Sequence, residues 1–424
     1  MEQPTEKPSA TTAKKESSFS RHSVSVAAVA FSPNGKRLAS AGGDRVKVTD
    51  LETGKEILKL KNSRGMEFLS VVYAPDGRWI AASQSKLKDR KTRRQGEYTI
   101  TTLFYVGETI IWDAQTGAVI ATINDDNAPC WRLALSPDGR TLAIGSGPTV
   151  PKEKNCQQEV CEGFGEVLLV NTNDWKIRTR LRGKAQPVRV LAFSPDGKWL
   201  AASSGRSDGP SSRDGKEEYE ALIWNVETGA LQERVLRHSG PIMALAFSPD
   251  GKWLASSGRD RSLKIWNAQT FQLARTASEF MISAEEIESI TDSAGRKKAK
   301  DALPRISWLS ALAFAPDSKT VIGCGADAIL RFYQTDTGKI SHVLKPRDWP
   351  IVPWNVFWGM GGPPMFGSGL PQPPMVGRIE VPMRPPPSMG LGRGGALNSM
   401  ALSRDGKTLA IGGADGKLRV MNLN

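Results

Sequence analysis

Ser248-Pro249-Asp250-Gly251, followed by Lys252-Trp253-Leu254-Ala255-Ser256, is the stretch on which the fold turns. Pro presets φ at the second position of a tight turn, Asp caps it, and Gly tolerates a positive φ, so the segment links two strands. The same unit recurs at Ser32-Pro33-Asn34-Gly35, Ala74-Pro75-Asp76-Gly77, Ser136-Pro137-Asp138-Gly139, Ser194-Pro195-Asp196-Gly197, Ala315-Pro316-Asp317-Ser318 and Ser403-Arg404-Asp405-Gly406. Each turn follows an apolar run such as Val190-Leu191-Ala192-Phe193. A third strand ends at Ile111-Trp112-Asp113, Ile223-Trp224-Asn225 and Ile265-Trp266-Asn267, and a Thr-Gly turn, as at Thr116-Gly117 and Thr228-Gly229, leads into a fourth.

Pro33 and Pro75 stand 42 residues apart. Four short strands at this period resemble the WD40 repeat family, whose period is about 40–45 residues. The resemblance covers nearly the whole chain and implies an all-β fold: a seven-bladed β-propeller of four-stranded antiparallel blades. One unit cannot bury both faces of its sheet, so the copies must stack radially around a channel. The family is mostly a scaffold shared by unrelated proteins, which leaves function to be argued from particular residues.

The seventh unit reaches only its third strand, at Leu418-Arg419-Val420-Met421-Asn422. Arg21-His22-Ser23 aligns with Arg237-His238-Ser239, which precedes a first strand, so residues from about Lys15 to Ser20 fall where a fourth strand belongs. We expect this segment to complete the last blade and remove its open edge. Residues 1–14, rich in Pro, Thr, Lys and Glu, are expected to be a disordered tail, with 15–424 forming a single propeller domain. Blade five carries a hydrogen-bond relay that the resemblance implies: His238, Ser256, Asp260 and Trp266. A Ser, a His and an Asp together suggest a hydrolase triad, but a buried indole N–H needs an acceptor, and a structural staple is the expected role. Blade one keeps His22, Ser40 and Asp44 with Thr49 in the Trp position.

The formal charge of +13 and pI near 9.6 favour acidic partners, nucleic acid or anionic surfaces. The first thirty residues hold no apolar core of signal-peptide length, and no apolar run of spanning length occurs elsewhere; the expected location is cytoplasmic, or nuclear in a eukaryote. Cys130 and Cys324 read as buried strand thiols. Cys156 and Cys161, as C-x4-C, could close a small disulfide ring or give two metal ligands; no nearby His or Cys completes a ligand set, so free thiols or an incidental disulfide are expected and no metal or other cofactor is. Gly390-Leu391-Gly392-Arg393-Gly394-Gly395 satisfies G-x-G-x-x-G but precedes a strand, and Gly406-Lys407-Thr408 belongs to a propeller turn, so neither holds a phosphate.

Five insertions depart from the repeat, at about 84–108, 146–165, 204–219, 274–305 and 341–396. The first three lie between second and third strands, the last two between a fourth strand and the next blade's first. In an up-and-down sheet both kinds of connection emerge on one face, so the pattern predicts a binding or capping surface there. The first insertion reads as a basic loop, Lys86, Lys88, Arg90, Lys91, Arg93 and Arg94 against the single acid Asp89, either a solvated loop or a polyanion contact. The fourth reads as a helix opened by the capping box Ser283 and Glu286. Residues 346–395 hold 12 Pro, 10 Gly and five Met, with Trp349, Trp354 and Trp358, so this segment is expected to lie against an apolar surface, its own ring or a partner. The resulting expectation is a non-enzymatic, monomeric scaffold that binds protein partners through the insertion-bearing face. A nucleic-acid-associated propeller is the rival. A propeller enzyme is the weakest alternative, since the chain has three His and no ligand cluster.

Overall fold

The computed structural model describes residues 16–19, 22–43, 45–61, 66–95, 98–125, 130–148, 165–182, 188–204, 219–232, 236–277, 308–325, 329–344 and 397–423. They form seven four-stranded antiparallel sheets, and in six of them the strand order follows the chain. The seventh is built from Leu397–Leu402, Thr408–Gly413, Leu418–Asn422 and, at its outer edge, the N-terminal strand Glu16–Phe19. That strand runs antiparallel to the third, with Glu16 opposite Met421 and Phe19 opposite Leu418. Both ends of the chain thus share one blade, and the connector that follows is pinned by His22 N–H to Gly416 O (2.9 Å) and Val26 N–H to Gly413 O (3.0 Å).

The first strands of successive blades touch one another around the ring, which makes them the inner wall. Packing is between blades: seven apolar clusters each join residues of two neighbours, one for every seam. Leu142, Ile144, Leu168 and Val170 of blade three, for example, meet Trp79, Ala81 and Ile111 of blade two. The second and third strands are therefore buried on both faces, and Leu142-Ala143-Ile144 and Val167-Leu168-Leu169 read as continuous apolar runs. At each such position truncation removes contacts from two blades at once.

The turns between first and second strands add a further link. Gly139, at φ +72°, would place a Cβ 3.0 Å from Pro75 Cδ of the preceding blade, and Gly406, at φ +71°, one 2.5 Å from Pro316. The glycine is thus needed twice, for its backbone conformation and for the space that the neighbour's proline fills. In blade six Ser318 stands in that place at φ +61°, and its hydroxyl accepts a hydrogen bond from Asp250 N–H (3.0 Å).

The insertions meet the repeat as follows. The fourth strand of blade five runs Leu273–Ala277 and that of blade six Ile340–Leu344, so those two insertions begin after 277 and after 344, later than 274 and 341. The segment 84–108 is a β-hairpin and not a loop: the second strand of blade two runs Trp79–Gln95 and the third Tyr98–Asp113. Alternation in Tyr98-Thr99-Ile100-Thr101-Thr102-Leu103-Phe104, rich in β-branched and aromatic residues, favours the strand over a loop. The disordered tail 1–14, the helix at Ser283, Cys156, Cys161 and Trp349, Trp354 and Trp358 lie outside the described residues. Cys130 and Cys324 are buried free thiols.

Candidate functional site

The hairpin of blade two is the main departure from the repeat among the described residues. Its register runs unbroken from Lys86 opposite Val106 to Gln95 opposite Tyr98, apart from one bulge between Leu87 and Asp89. The blade's first strand reaches only as far as Glu67 opposite Ser85, and its fourth only as far as Asp125 opposite Gly107. Among the described residues, the two strands pair only with each other beyond that level. At about 3.3 Å per residue, the ribbon extends about 30 Å past the rest of the blade. Lys86, Lys88, Arg90, Lys91, Arg93 and Arg94 all belong to its first strand, while Tyr98 to Val106 of the second carries no charge. Sequence patterning places six cations within nine residues of one strand.

Acidic groups near the same face are engaged internally. At the start of the third strands, Glu166 is buried and accepts from Arg180 Nη1 and Arg182 Nε, both at 2.9 Å. Glu220 is buried against Arg237 Nε at 3.5 Å, and Glu108 accepts from Gln84 Nε2 at 2.6 Å. Glu166 and Glu220 have their charge offset by arginines, which leaves little of it to oppose the basic ribbon, and Glu108 is held by a neutral amide.

The four relay residues come together across two blades: His238 ends the fourth strand of blade four, Leu236–His238, and Ser256, Asp260 and Trp266 belong to blade five. Trp266 Nε1–H donates to Ser256 Oγ (2.8 Å), Ser256 O–H donates to His238 Nε2 (2.7 Å), and His238 Nδ1–H donates to Asp260 Oδ2 (2.9 Å). The carboxylate as acceptor puts the proton on Nδ1 and leaves Nε2 to accept from Ser256. Sequence reading missed Ser262, whose hydroxyl donates to Asp260 Oδ1 (2.8 Å), and Ser239, whose backbone N–H donates to Oδ2 (3.0 Å). Burial alone would raise the Asp260 pKa, but the His238 hydrogen bond and charge, with Ser262 and Ser239, bring it down to about 2. Ser256 has no exposed surface and its oxygen is already occupied by an indole, so a substrate has no path to that hydroxyl.

Blade one holds a shorter version. Ser40 donates to His22 Nε2 (2.8 Å) and His22 Nδ1–H donates to Gly42 O (3.2 Å), while Asp44 lies outside the described residues. Thr49, in the Trp position, buries a hydroxyl with no partner among the described residues. Burial first, then the charge of Lys47, lowers the His22 pKa to about 4. An unfolded imidazole protonates near pH 6.5, so in acid the unfolded chain gains its proton first and stability falls as pH drops from 6.5 towards 4. His22 should contribute about 2 kcal/mol of this loss between pH 7 and pH 5. Urea denaturation of wild type and His22→Gln at both pH values checks it; parallel pH dependences in the two chains would contradict the assignment.

The family model described as "WD domain, G-beta repeat" matches residues 13–50, 175–209, 231–267 and 391–422. Each stretch covers the first three strands or fewer of blade one, four, five or seven, and the first three also take in the outer strand of the sheet before it: Glu16–Phe19, Ile177–Arg182 and Leu236–His238. The chain carries WD40 repeats in four places and folds as a seven-bladed β-propeller. WD repeat-containing protein SL1-17 of Schistosoma mansoni is 32% identical over 164 residues, 39% of this chain and 45% of that protein. A periodic tryptophan protein 2 homolog of Dictyostelium discoideum is 24% identical over 283 residues, 60% of this chain and 27% of that protein. Eukaryotic translation initiation factor 3 subunit I of Bombyx mori is 26% identical over 269 residues, 54% of this chain and 75% of that protein. The chain thus spans less than half the length of the first two. The fold fits a non-catalytic protein-interaction scaffold. No helix among the described residues is long and apolar enough to cross a membrane.

Proposed function

We propose that this propeller is a non-catalytic scaffold, monomeric in itself, that holds an acidic protein partner on its insertion-bearing face within a larger assembly in the cytoplasm, or in the nucleus of a eukaryotic cell. The observation that carries the reading is the blade-two ribbon, a basic strand paired only with an uncharged one and extended beyond the propeller body. Its length and charge are explained by a contact outside the ring. The Bombyx mori relative is named as a subunit of an initiation factor, which supports a place in a multi-protein complex.

Trp349, Trp354 and Trp358 are the second proposed contact. Replacing Trp354 and Trp358 with Ala separates an interface, where binding falls at unchanged stability, from a segment packed on its own ring, where stability falls. The ribbon is tested by replacing residues 86–105 with a two-residue turn and comparing partner capture with the full chain. The shortened protein should keep its melting temperature and lose its partner. Undiminished capture would remove the ribbon from the reading. A two-stranded basic ribbon also fits the major groove of B-form DNA. Retention of RNA or DNA with a steep salt dependence, in place of a protein, would favour that rival.

A further inference from the structure

Six of the seven first strands carry a β-bulge near their insertion-face end, among them Phe68/Ser70 in blade two, Cys130/Arg132 in blade three and Val188/Val190 in blade four. A bulge withdraws a carbonyl from its own ladder. Neighbouring blades use neutral donors around this inner rim: Ser310 Oγ donates to Leu397 O (2.5 Å), Asn398 Nδ2 to Val26 O (3.3 Å) and Ser257 Oγ to Leu309 O (2.9 Å). Blade three uses a cation. Arg132 Nη1 donates to Leu69 O of blade two (2.6 Å) and Nε to Arg189 O of blade four (3.1 Å), so one guanidinium spans the inner edges of three consecutive blades.

A hydroxyl or an amide makes such a stitch elsewhere, and the positive charge is surplus to it. Burial lowers the Arg132 pKa below the usual arginine range, and both of its acceptors are neutral carbonyls. Among the described residues no carboxylate pairs with it, and Nη2 makes no hydrogen bond. Ser70 and Val190, at the equivalent strand position in the flanking blades, are neutral, and Ala134 and Ala192 continue the wall below. A partly desolvated cation with free N–H groups recovers its lost hydration when an anion meets it, and a guanidinium matches the planar fork of an oxyanion.

We propose that Arg132 is an anion-binding point at the insertion-face mouth of the central channel, receiving a single carboxylate or phosphate group on its Nη2 N–H donors. The proposal does not depend on the blade-two ribbon, and it adds a chemical requirement at the centre of the same face. Its test is calorimetric titration of the full chain with inorganic phosphate and, separately, with acetate, at an ionic strength fixed with chloride. Saturable one-to-one binding is expected, weakened about tenfold or more in Arg132→Gln. Binding of phosphate alone marks a phosphate-bearing ligand; binding of both extends the site to side-chain carboxylates. Equal affinity in wild type and Arg132→Gln, or no saturable binding in wild type, overturns the proposal. Because Arg132 also joins three blades, Arg132→Gln could fail to fold. The wild-type chain then decides: in a sample labelled with 15N-arginine, phosphate must shift the Arg132 guanidinium resonances, assigned with Arg132→Lys, and unmoved resonances overturn the site.

Discussion

A chain lacking residues 1–20 should be less stable than the full chain by on the order of 4 kcal/mol or more, whereas one lacking 1–12 should unfold like the intact protein. The first deletion removes Glu16–Phe19 and with it the whole outer strand of the closing blade. Its loss exposes the row of N–H and C=O groups along Leu418–Asn422 and frees the connector that His22 and Val26 anchor to Gly416 and Gly413. In a closed ring every blade leans on two neighbours, so a weakened seam is felt beyond the blade in which it lies. Denaturant titration of the two truncations measures the difference. Coincident curves would show that the N-terminal strand is not what closes the ring.

Trp266→Ala should cost about 3–5 kcal/mol, because a large buried side chain leaves a cavity between blades four and five. His238→Ala should cost about 2–4 kcal/mol by a different route: Ser256 loses its acceptor, and Asp260 loses the imidazole that holds its pKa near 2. The depressed carboxyl contributes stability that is present above the unfolded Asp pKa and is lost as pH falls through about 2. The gap between wild type and His238→Ala should therefore narrow in strong acid. Thermal or urea unfolding at neutral pH and near pH 3 gives both numbers. A wild-type stability for either variant at neutral pH would mean that the relay does not staple blade five to the outer strand of blade four.

The repeat was legible because each turn combines three residues with separate local duties, and local duties survive in a sequence. The closing strand was legible for a similar reason: Arg21-His22-Ser23 marks the same junction as Arg237-His238-Ser239. The second duty of the turn glycine was not, since the proline it accommodates belongs to another blade. The blade-two segment was read as a basic loop because its charges drew attention from the β-branched run Tyr98 to Phe104, which pairs with them residue by residue. Arg132 carried no signal at all. Within its strand it is one polar residue among apolar ones, and only the ring brings Leu69 and Arg189 to its two sides.

The scaffold reading is tested most directly by the affinity of the captured partner for a chain carrying Lys88→Glu, Arg90→Glu, Arg93→Glu and Arg94→Glu, measured across a range of salt concentrations. These positions lie in the ribbon beyond the level of the blade's first and fourth strands, so the propeller should remain folded. Binding should weaken several-fold or more, and the remaining affinity should vary less with salt than that of the wild type. An affinity and a salt dependence identical to the wild type would contradict the account and turn attention to the short-turn face.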